Sequence, residues 1–265
     1  MSAVMAADQA LLSRSDADGV ATLTLNRPGQ FNSLSEELLG EMQTTLDAIA
    51  VDDSVRAVII AGAGKAFCAG HDLKQMRANH AKEYMQMLFR QCGRVMTTIV
   101  RLPQPVIARV HGIATAAGCQ LVASCDLAVA AETARFAVSG INVGLFCSTP
   151  AVALSRNVGR KQAMEMLLTG DFIDAQEALR RGLVNRVVPA EQLDAEIGKL
   201  TASICAKSAA AVRMGKQLFY QQLEMGLDAA YQLAGETMAC NMMCDDAAEG
   251  IDAFMQKRTP EWKDR

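Results

Sequence analysis

Three apolar runs constrain the fold of this chain more than any other feature of its sequence. Val55–Ile60 reads VRAVII, Pro105–Val110 reads PVIARV and Leu127–Ala131 reads LAVAA. Runs of this length are typical of strands that are buried on both faces, as in a parallel sheet. Apolar residues at helical spacing lie between these runs, at Leu38, Leu39, Met42, Leu46 and Ile49 and again at Leu88, Cys92, Val95, Met96 and Ile99. The repeated strand–strand–helix or strand–helix order predicts an α/β core.

Smaller local signals complete this outline. Val20–Asn26 alternates as a half-buried strand, and Ser33 followed by Glu36 predicts a capping box at the start of the next helix. From Glu191 onward the chain is mainly helical in pattern. Its 265 residues are enough to bury a full core.

Charge and cysteine usage exclude several classes of function. The net charge is −3, with acids and bases interspersed, which does not favour nucleic acid or an anionic membrane as partner. The first 19 residues lack the pattern of a secretory signal or transit peptide, and no apolar run is long enough to span a membrane. None of the eight cysteines forms a C-x-x-C pair, and His71, His80 and His111 do not cluster with them, so neither a zinc site nor a disulfide framework is expected. We therefore predict a cytoplasmic protein with reduced thiols.

Two loops of small residues form the main candidate site. Lys65–Leu73 reads KAFCAGHDL and His111–Gln120 reads HGIATAAGCQ, and each loop follows a predicted buried strand and leads towards a predicted helix. Small side chains let a ligand approach the main chain, and a helix start offers unpaired N–H groups with a positive dipole end. Together these features suit a negatively charged oxygen. Tight turns that serve packing alone remain the alternative for either loop taken singly.

Four segments in sequence resemble the crotonase, or enoyl-CoA hydratase/isomerase, superfamily: Lys65–Leu73, Pro105–Ala130, Leu167–Val188 and Ala253–Trp262. The resemblance runs from about Val20 to Trp262, and the stretches ATAAGCQLVASCD and NVGLFCSTP are similar to one subgroup of that superfamily. It implies a spiral of ββα turns and an acyl-CoA thioester as substrate. Coenzyme A would be part of the substrate, with no tightly bound cofactor and no metal.

The resemblance also assigns roles to individual residues. The backbone N–H groups of His71 and Ala117 would form an oxyanion hole for the thioester carbonyl. The residues that would contact the substrate or its CoA portion are Lys65, Ala69, Gly70, Asp72, Leu73, Gly118 and Lys257. Lys257 would reach towards the CoA phosphates, and a solvated charge at a helix end is the alternative for it.

The resemblance implies a division of the chain and a mode of assembly as well. Residues 1–200 would form the crotonase-like α/β core, and residues 201–265 would form a C-terminal helical oligomerisation region. These C-terminal helices would pack a homotrimer, commonly paired into a hexamer.

The chain departs from the hydratases of this superfamily at both of their acid/base positions. Gln120 stands where one glutamate is expected, and Gly140, within Phe136–Gly144, stands where the second is expected. A glutamine can orient a water molecule but cannot take up a proton at neutral pH, and a glycine offers no side chain. Since a general acid or base contributes about 10²–10⁴ in rate, we predict acyl-CoA binding with enolate stabilisation and weak or absent hydration. Isomerases of the superfamily also use a carboxylate in the second segment, so the same objection applies to them.

Several alternatives stay open from the sequence. The His71 ring is a possible acid or base if it faces the thioester; otherwise it caps the loop or points away. Asp72 is expected to structure its turn through bonds from N–H groups, and Cys147 is expected to line the pocket because it has no evident histidine partner. The chain is then either a lyase, isomerase or thioester hydrolase that acts through an enolate, or a non-catalytic acyl-CoA-binding or scaffold protein. RNA binding is disfavoured by the acidic balance.

Overall fold

The computed structural model of the protein describes residues 10–263. Part of the first 19 residues, on which the absence of a targeting signal was predicted, therefore lies outside the described residues. The strands in the described part are Leu12–Ala17 (β1), Val20–Leu25 (β2), Ala57–Gly62 (β3), Ala66–Cys68 (β4), Val106–Val110 (β5), Ile113–Thr115 (β6), Leu127–Ala131 (β7), Arg135–Ala137 (β8), Ile173–Asp174 (β9) and Arg186–Val188 (β10).

The helices connect these strands and then continue to the C-terminal end of the described chain. They are Glu36–Ala50 (α1), Leu73–Ala78 (α2), Lys82–Arg101 (α3), Ala117–Ser124 (α4), Ser148–Leu154 (α5), Arg160–Thr169 (α6), Ala175–Arg180 (α7), Leu193–Cys205 (α8), Ala209–Gln222 (α9), Leu227–Met242 (α10) and Asp245–Gln256 (α11). Within residues 10–263, none of them combines the length and the apolar character that crossing a bilayer requires.

Two sheets are built from these strands. The larger has the order β1-β2-β3-β5-β7-β10, and the smaller has the order β4-β6-β8-β9. Pairing is parallel except for β1 with β2 and β8 with β9. Parallel strands cannot be joined by a tight hairpin, so the chain leaves each sheet through a crossover that includes helices.

In three successive pairs of strands, the first strand belongs to the larger sheet and the second belongs to the smaller sheet. β3, β5 and β7 enter the larger sheet, and β4, β6 and β8 follow them into the smaller sheet. Each such pair is followed by helices, so the chain advances as a spiral of ββα turns, as the family resemblance implies. The predicted fold class is confirmed.

The core lies between the two sheets and the helices that cover them. The predicted stripes of α1 and α3 are buried in full, from Leu38 to Ile49 and from Leu88 to Ile99. On the opposite face of the larger sheet, Leu193 and Ile197 of α8 pack with Ile107 and Val129. Burial on both faces explains why β5 and β7 are apolar runs without alternation.

The structure differs from the sequence predictions at a few boundaries. Ser35, and not Ser33, caps α1 by accepting a hydrogen bond from the Leu38 N–H at 3.3 Å. Ser33 is instead held by the side chain of Arg27. The segment predicted as one loop from Gly112 to Gly118 contains β6, and the polar edge strand β1 was not predicted.

Candidate active site

The parallel pairing of β4 with β6 brings the two small-residue loops together. Ala66 pairs with Ile113 and Cys68 pairs with Ala114, with a register irregularity between them. The carboxyl ends of parallel strands meet at the same edge of a sheet. The residues that follow β4 therefore lie beside the residues that follow β6.

Two glycines make this contact close. A Cβ built on Gly70 would lie 2.9 Å from the Cβ of Ala116 and 3.2 Å from the nitrogen of Ala117. A Cβ built on Gly118 would lie 2.1 Å from the Cys68 carbonyl oxygen. No side chain fits at either position without a shift of the backbone, so the two loops touch only because both residues are glycine.

The N–H of His71 is free of any acceptor in residues 10–263. Leu34 and His71 form a parallel bridge in which the Leu34 N–H donates to the Gly70 carbonyl at 2.7 Å and the Asp72 N–H donates to the Leu34 carbonyl at 3.1 Å. In such a bridge the bonds are made by the neighbours of the central residue. The N–H of His71 consequently points away from Leu34.

The N–H of Ala117, like that of His71, has no acceptor in the described part of the chain. Ala117 is the first residue of α4, where an N–H has no intrahelical partner. Its position is set by Ala116, which has φ 50° and ψ −119° and donates its own N–H to the Ala137 carbonyl at 3.0 Å. A positive φ at a residue other than glycine costs about 1–3 kcal/mol, and such strain concentrates at functional sites.

A segment from Arg27 to Leu34, here called the clamp segment, fixes the first loop. The Arg27 guanidinium donates to the Ser33 carbonyl at 2.5 Å and to the Asp72 carboxylate at 2.9 Å. Asp72 in turn caps α2 by accepting from the N–H groups of Lys74 and Gln75. The prediction that Asp72 structures its turn is confirmed.

The ion pair of the clamp segment sets the charge of Asp72. Burial alone would raise the pKa of Asp72, but the hydrogen bonds from Arg27 and from the backbone of Gln75 and Lys74 outweigh it and hold that pKa below its ordinary value. The side chains of Arg27 and Asp72 keep only 15% and 14% of their surface exposed. The Asp72 carboxylate is therefore ionised at neutral pH, and it already accepts hydrogen bonds from Arg27, Lys74 and Gln75.

The clamp segment rests on Asn32, which is fully buried. Its side-chain nitrogen donates to the carbonyls of Ala63 and Ala66, each at 2.8 Å. Phe31 and Asn32 both have positive φ values, 51° and 55°. In the sequence, Arg27-Pro28-Gly29 is typical of a local turn, and no local signal shows that this turn reaches the first loop.

Two polar side chains near the free N–H groups lack partners in residues 10–263. Gln120, on the same face of α4 as Ala117, is 4% exposed, and its Oε1 accepts no hydrogen bond. Both ring nitrogens of His71 are buried without a partner, and the ring packs edge-on against Phe89 of α3 with centroids 5.5 Å apart. Burial lowers the pKa of His71, so the ring is neutral at pH 7.

Gly140 lies in a position that has no room for a side chain. A Cβ built on it would lie 2.5 Å from the Leu145 carbonyl oxygen and 2.8 Å from the Sγ of Cys147. The Gly140 N–H donates to that Sγ at 3.3 Å. Burial raises the pKa of Cys147, which opposes a role as nucleophilic thiolate. This segment is joined to the second loop by a hydrogen bond of 2.7 Å between the hydroxyls of Ser139 and Thr115.

Of the other residues predicted for the site, Lys65 and Leu73 lie at the first loop, whereas Lys257 makes no bond to either loop within the described residues. Lys65 is exposed beside β4, and Leu73, the first residue of α2, is 56% exposed. Lys257 is an exposed residue at the end of α11, and no hydrogen bond or ion pair joins it to either loop in residues 10–263. The described part of the chain contains no group of three or more His, Cys, Asp or Glu residues that could bind a metal ion.

The spiral of ββα turns is that of the crotonase-fold class of α/β proteins. The chain belongs to the enoyl-CoA hydratase/isomerase family, whose model matches residues 15–265. It is 47% identical over 244 residues to enoyl-CoA hydratase domain-containing protein 3, mitochondrial, of Xenopus laevis, which covers 92% of this chain and 83% of that protein.

Solved structures agree with this assignment. An enoyl-CoA hydratase from Mycobacterium smegmatis superposes with a TM-score of 0.95 at 62% identity, over 96% of this chain and 99% of that one. Human enoyl coenzyme A hydratase domain-containing protein 3 superposes with a TM-score of 0.93 at 45% identity, over 96% and 100%. The sequence resemblance to the subgroup of domain-containing protein 3 and its bacterial relatives is confirmed.

Proposed function

We propose that the protein binds an acyl-CoA thioester and stabilises its enolate, with the N–H groups of His71 and Ala117 as the two donors to the thioester oxygen. The observation that carries this proposal is the pair of unsatisfied N–H groups at the adjoining ends of β4 and β6. One N–H lies at the start of α4, where the helix dipole adds to its attraction for negative charge. Each such donor contributes about 3 kcal/mol to an enolate-like transition state.

Hydration of an enoyl-CoA is proposed to be weak or absent. The reaction needs a base to activate water and an acid to protonate the α-carbon, and Gln120 supplies neither at neutral pH. The packing around Gly140 supports this proposal, because the space that a second carboxylate would need is filled by Leu145 and Cys147. A different enolate-type reaction, such as thioester hydrolysis, is compatible with the same donors.

The CoA portion is proposed to lie over the first loop. Ala69 and Leu73 keep part of their small or apolar surface accessible, and the exposed Lys65 offers a cation for a phosphate. Lys257 would serve the same purpose from a neighbouring subunit. Gly70 and Gly118 are buried, and their part is to let the two loops approach each other. Coenzyme A is then part of the substrate, and no other cofactor is proposed.

Self-association as a homotrimer or hexamer is proposed through the C-terminal helices. Helices α9 to α11 expose large apolar side chains, among them Leu227 at 72%, Tyr231 at 72%, Met238 at 71% and Phe254 at 85%. Apolar groups exposed in such number mark an interaction surface. Because α8 runs unbroken across residue 200 and packs on the larger sheet, we place the start of the oligomerisation region at α9. Light scattering at micromolar concentration would show a trimer or hexamer, and a monomer would contradict this proposal.

The cytoplasm remains the proposed location. All eight cysteines, which lie in the described part, are free, as in a reducing compartment. The eukaryotic relatives carry "mitochondrial" in their names, and their location does not transfer to this chain without a test. Cell fractionation with antibody detection would decide between a cytoplasmic and an organellar location.

Two measurements test the proposed function. Calorimetry with acetoacetyl-CoA, a thioester that readily forms an enolate, should give a dissociation constant well below about 1 mM. Crotonyl-CoA hydration, followed by loss of enoyl absorbance, should fall at least about 10²-fold below ordinary enzyme turnover. Binding weaker than about 1 mM would overturn the acyl-CoA proposal, and hydration within about tenfold of ordinary turnover would overturn the role given to Gln120 and Gly140.

A further inference from the structure

The imidazole of His71 is a buried polar group with no partner beside the proposed oxyanion hole. Neither Nδ1 nor Nε2 makes a well-formed hydrogen bond within residues 10–263, and only a weaker interaction with the Leu34 backbone opposes the effect of burial on the pKa of His71. A neutral imidazole carries one N–H donor and one acceptor nitrogen. Burying either of them unsatisfied is unfavourable, so a bound molecule that contacts the ring recovers the lost hydrogen bonds.

The same residue carries both the free N–H and the unsatisfied ring. The bridge to Leu34 turns the N–H of His71 away from the clamp segment, and the edge-on contact with Phe89 fixes the ring against α3. In an acyl-CoA the α-carbon is bonded directly to the thioester carbonyl carbon. A carbonyl oxygen that accepts from the His71 N–H therefore brings the α-carbon close to His71, the residue that also carries the ring.

The other titratable groups around the two loops are engaged or unsuited to proton transfer at neutral pH. The Asp72 carboxylate is paired with Arg27 and caps α2. The thiols of Cys119 and Cys147 have pKa values raised by burial, and Gln120 does not titrate. His111, in the second loop, is engaged through its Nε2, which bonds to the Gly64 carbonyl at 2.9 Å. His71 is the histidine of the two loops with neither ring nitrogen in a well-formed hydrogen bond within the described residues.

We propose that the His71 ring is the proton-transfer group of this site and that it acts on saturated acyl-CoA thioesters. The α-carbon–hydrogen bond breaks and the proton bonds to the basic ring nitrogen. The released electron pair forms a double bond between the α-carbon and the carbonyl carbon, and the carbonyl π pair moves onto the oxygen held by the two N–H groups. The imidazolium then exchanges its N–H proton with water, and return of the new proton to the same carbon restores the thioester. The net reaction is exchange of the α-hydrogen with solvent, with water as the other reactant.

This inference rests on the proposed function and deepens it. The backbone supplies the oxyanion donors whatever the side chain at position 71 is, so replacing the ring tests proton transfer without removing the hole. The ring packs on α3 beside Phe89. The titratable groups of the neighbouring elements include Asp72 with its partner Arg27, and Tyr84 of α3, which interacts with Glu36, Glu37 and Asp72. Burial is the dominant influence on the ring, and it lowers the pKa of His71.

The test measures deuterium uptake at the α-carbon of butyryl-CoA in D₂O by NMR, for the intact protein and for the variants His71→Gln and His71→Ala. Exchange should fall at least about 10²-fold in both variants, while acetoacetyl-CoA affinity changes less than about threefold. Added imidazole should restore part of the exchange to His71→Ala. The control is His80→Gln, since His80 is exposed between α2 and α3, and this variant should exchange like the unchanged protein.

The pH profile of the unchanged protein is the second readout, and it does not depend on how the variants fold. Exchange should rise as His71 loses its proton, with a midpoint below the ordinary histidine value of about 6.5, and then level off. Exchange that is undetectable, that persists in His71→Gln or that lacks this midpoint overturns the role of the ring. The proposed function fails separately, if acetoacetyl-CoA does not bind the unchanged protein.

Discussion

The two halves of the candidate site differ in what holds them. The donor half consists of backbone N–H groups at His71 and Ala117, and the acid/base half of a hydratase would consist of side chains at positions 120 and 140. The donor half depends on strand pairing, on Gly70 and Gly118, and on the clamp segment. In the side-chain half, Gln120 and Gly140 stand at the positions to which the family resemblance assigns two glutamates. The chain keeps the fold of the family and superposes on an enoyl-CoA hydratase with a TM-score of 0.95.

Under the proposed function, this difference means that oxyanion binding and proton transfer are separable in this fold. Donors that belong to the main chain constrain the size of residues and the path of the backbone, so losing them requires a change of structure. A carboxylate is a side chain, and its loss changes chemistry with little effect on packing. The predictions below alter one half at a time.

The largest effect is expected when the contact between the loops is broken. Gly118→Val would push a side chain into the Cys68 carbonyl, 2.1 Å from its first carbon. We expect the free energy of unfolding to fall by about 3 kcal/mol or more and acetoacetyl-CoA affinity to fall about 10²-fold, because α4 must move. Urea unfolding and calorimetry measure both quantities.

A glycine in open space provides the control for Gly118. A Cβ built on Gly93 of α3 meets nothing within 4 Å, so Gly93→Ala should stabilise the protein by about 0.4–1 kcal/mol and leave binding unchanged. A Gly118→Val variant that binds normally would mean that the donor half does not depend on this contact.

Restoring carboxylates should have unequal effects at the two positions. Gln120→Glu is nearly isosteric, and we expect crotonyl-CoA hydration to rise up to about 10²-fold, most clearly at alkaline pH because burial raises the pKa of an introduced carboxyl. Gly140→Glu has no space and should lower the free energy of unfolding by about 1–3 kcal/mol without adding activity. The spectrophotometric hydration assay, run from pH 6 to pH 9, compares the single and double variants. A double variant faster than Gln120→Glu alone would show that the segment around Gly140 opens.

Removing the cation of the clamp segment should give a moderate effect that depends on pH. Arg27→Met leaves the Asp72 carboxylate half-buried without its partner, and we expect a loss of about 2 kcal/mol at pH 7. The pKa of Asp72 is lowered in the folded state, so the pair stabilises the fold above the unfolded pKa of about 3.9 and loses this contribution as pH falls through the folded pKa. Urea unfolding at pH 7 and below pH 4 should therefore show a difference between variant and parent that shrinks at the lower pH.

An exposed arginine serves as the comparison for Arg27. Arg90→Met on α3 should change stability by no more than about 0.5 kcal/mol at either pH. If Arg27→Met loses the same amount at both pH values, its effect comes from packing of the side chain and not from the ion pair.

The smallest effect is expected at the strained residue before Ala117. Ala116→Gly removes the penalty of a positive φ but adds flexibility to the unfolded chain, so we expect a net gain of about 0.5 kcal/mol and unchanged acetoacetyl-CoA affinity. Ala151→Gly in the helix α5 should instead lose about 0.5–1 kcal/mol. Thermal unfolding of both variants measures the comparison, and a loss at Ala116 as large as that at Ala151 would mean that the backbone there is not strained.

The sequence predicted much of the fold because its signals are local. The stripes of α1 and α3 appear in the structure residue for residue, and the runs at β3, β5 and β7 are strands within two residues of the predicted bounds. The clamp segment was missed because Arg27 and Asp72 are 45 positions apart, and nothing near Arg27 shows which loop it reaches. The cap of α1 was misplaced from Ser35 to Ser33 because Ser33 is held by Arg27 through a contact that only the fold creates.

By itself, the sequence determined that two loops of small residues follow buried strands, and that Gln120 and Gly140 stand where the family resemblance implies carboxylates. These are properties of residue size and type, which the chain carries before it folds. Only the tertiary structure decided that the two loops touch, that the His71 ring is buried without a partner and that position 140 is filled by its neighbours. Contact, burial and free space depend on groups far apart in the sequence, so they exist only once the strands have paired.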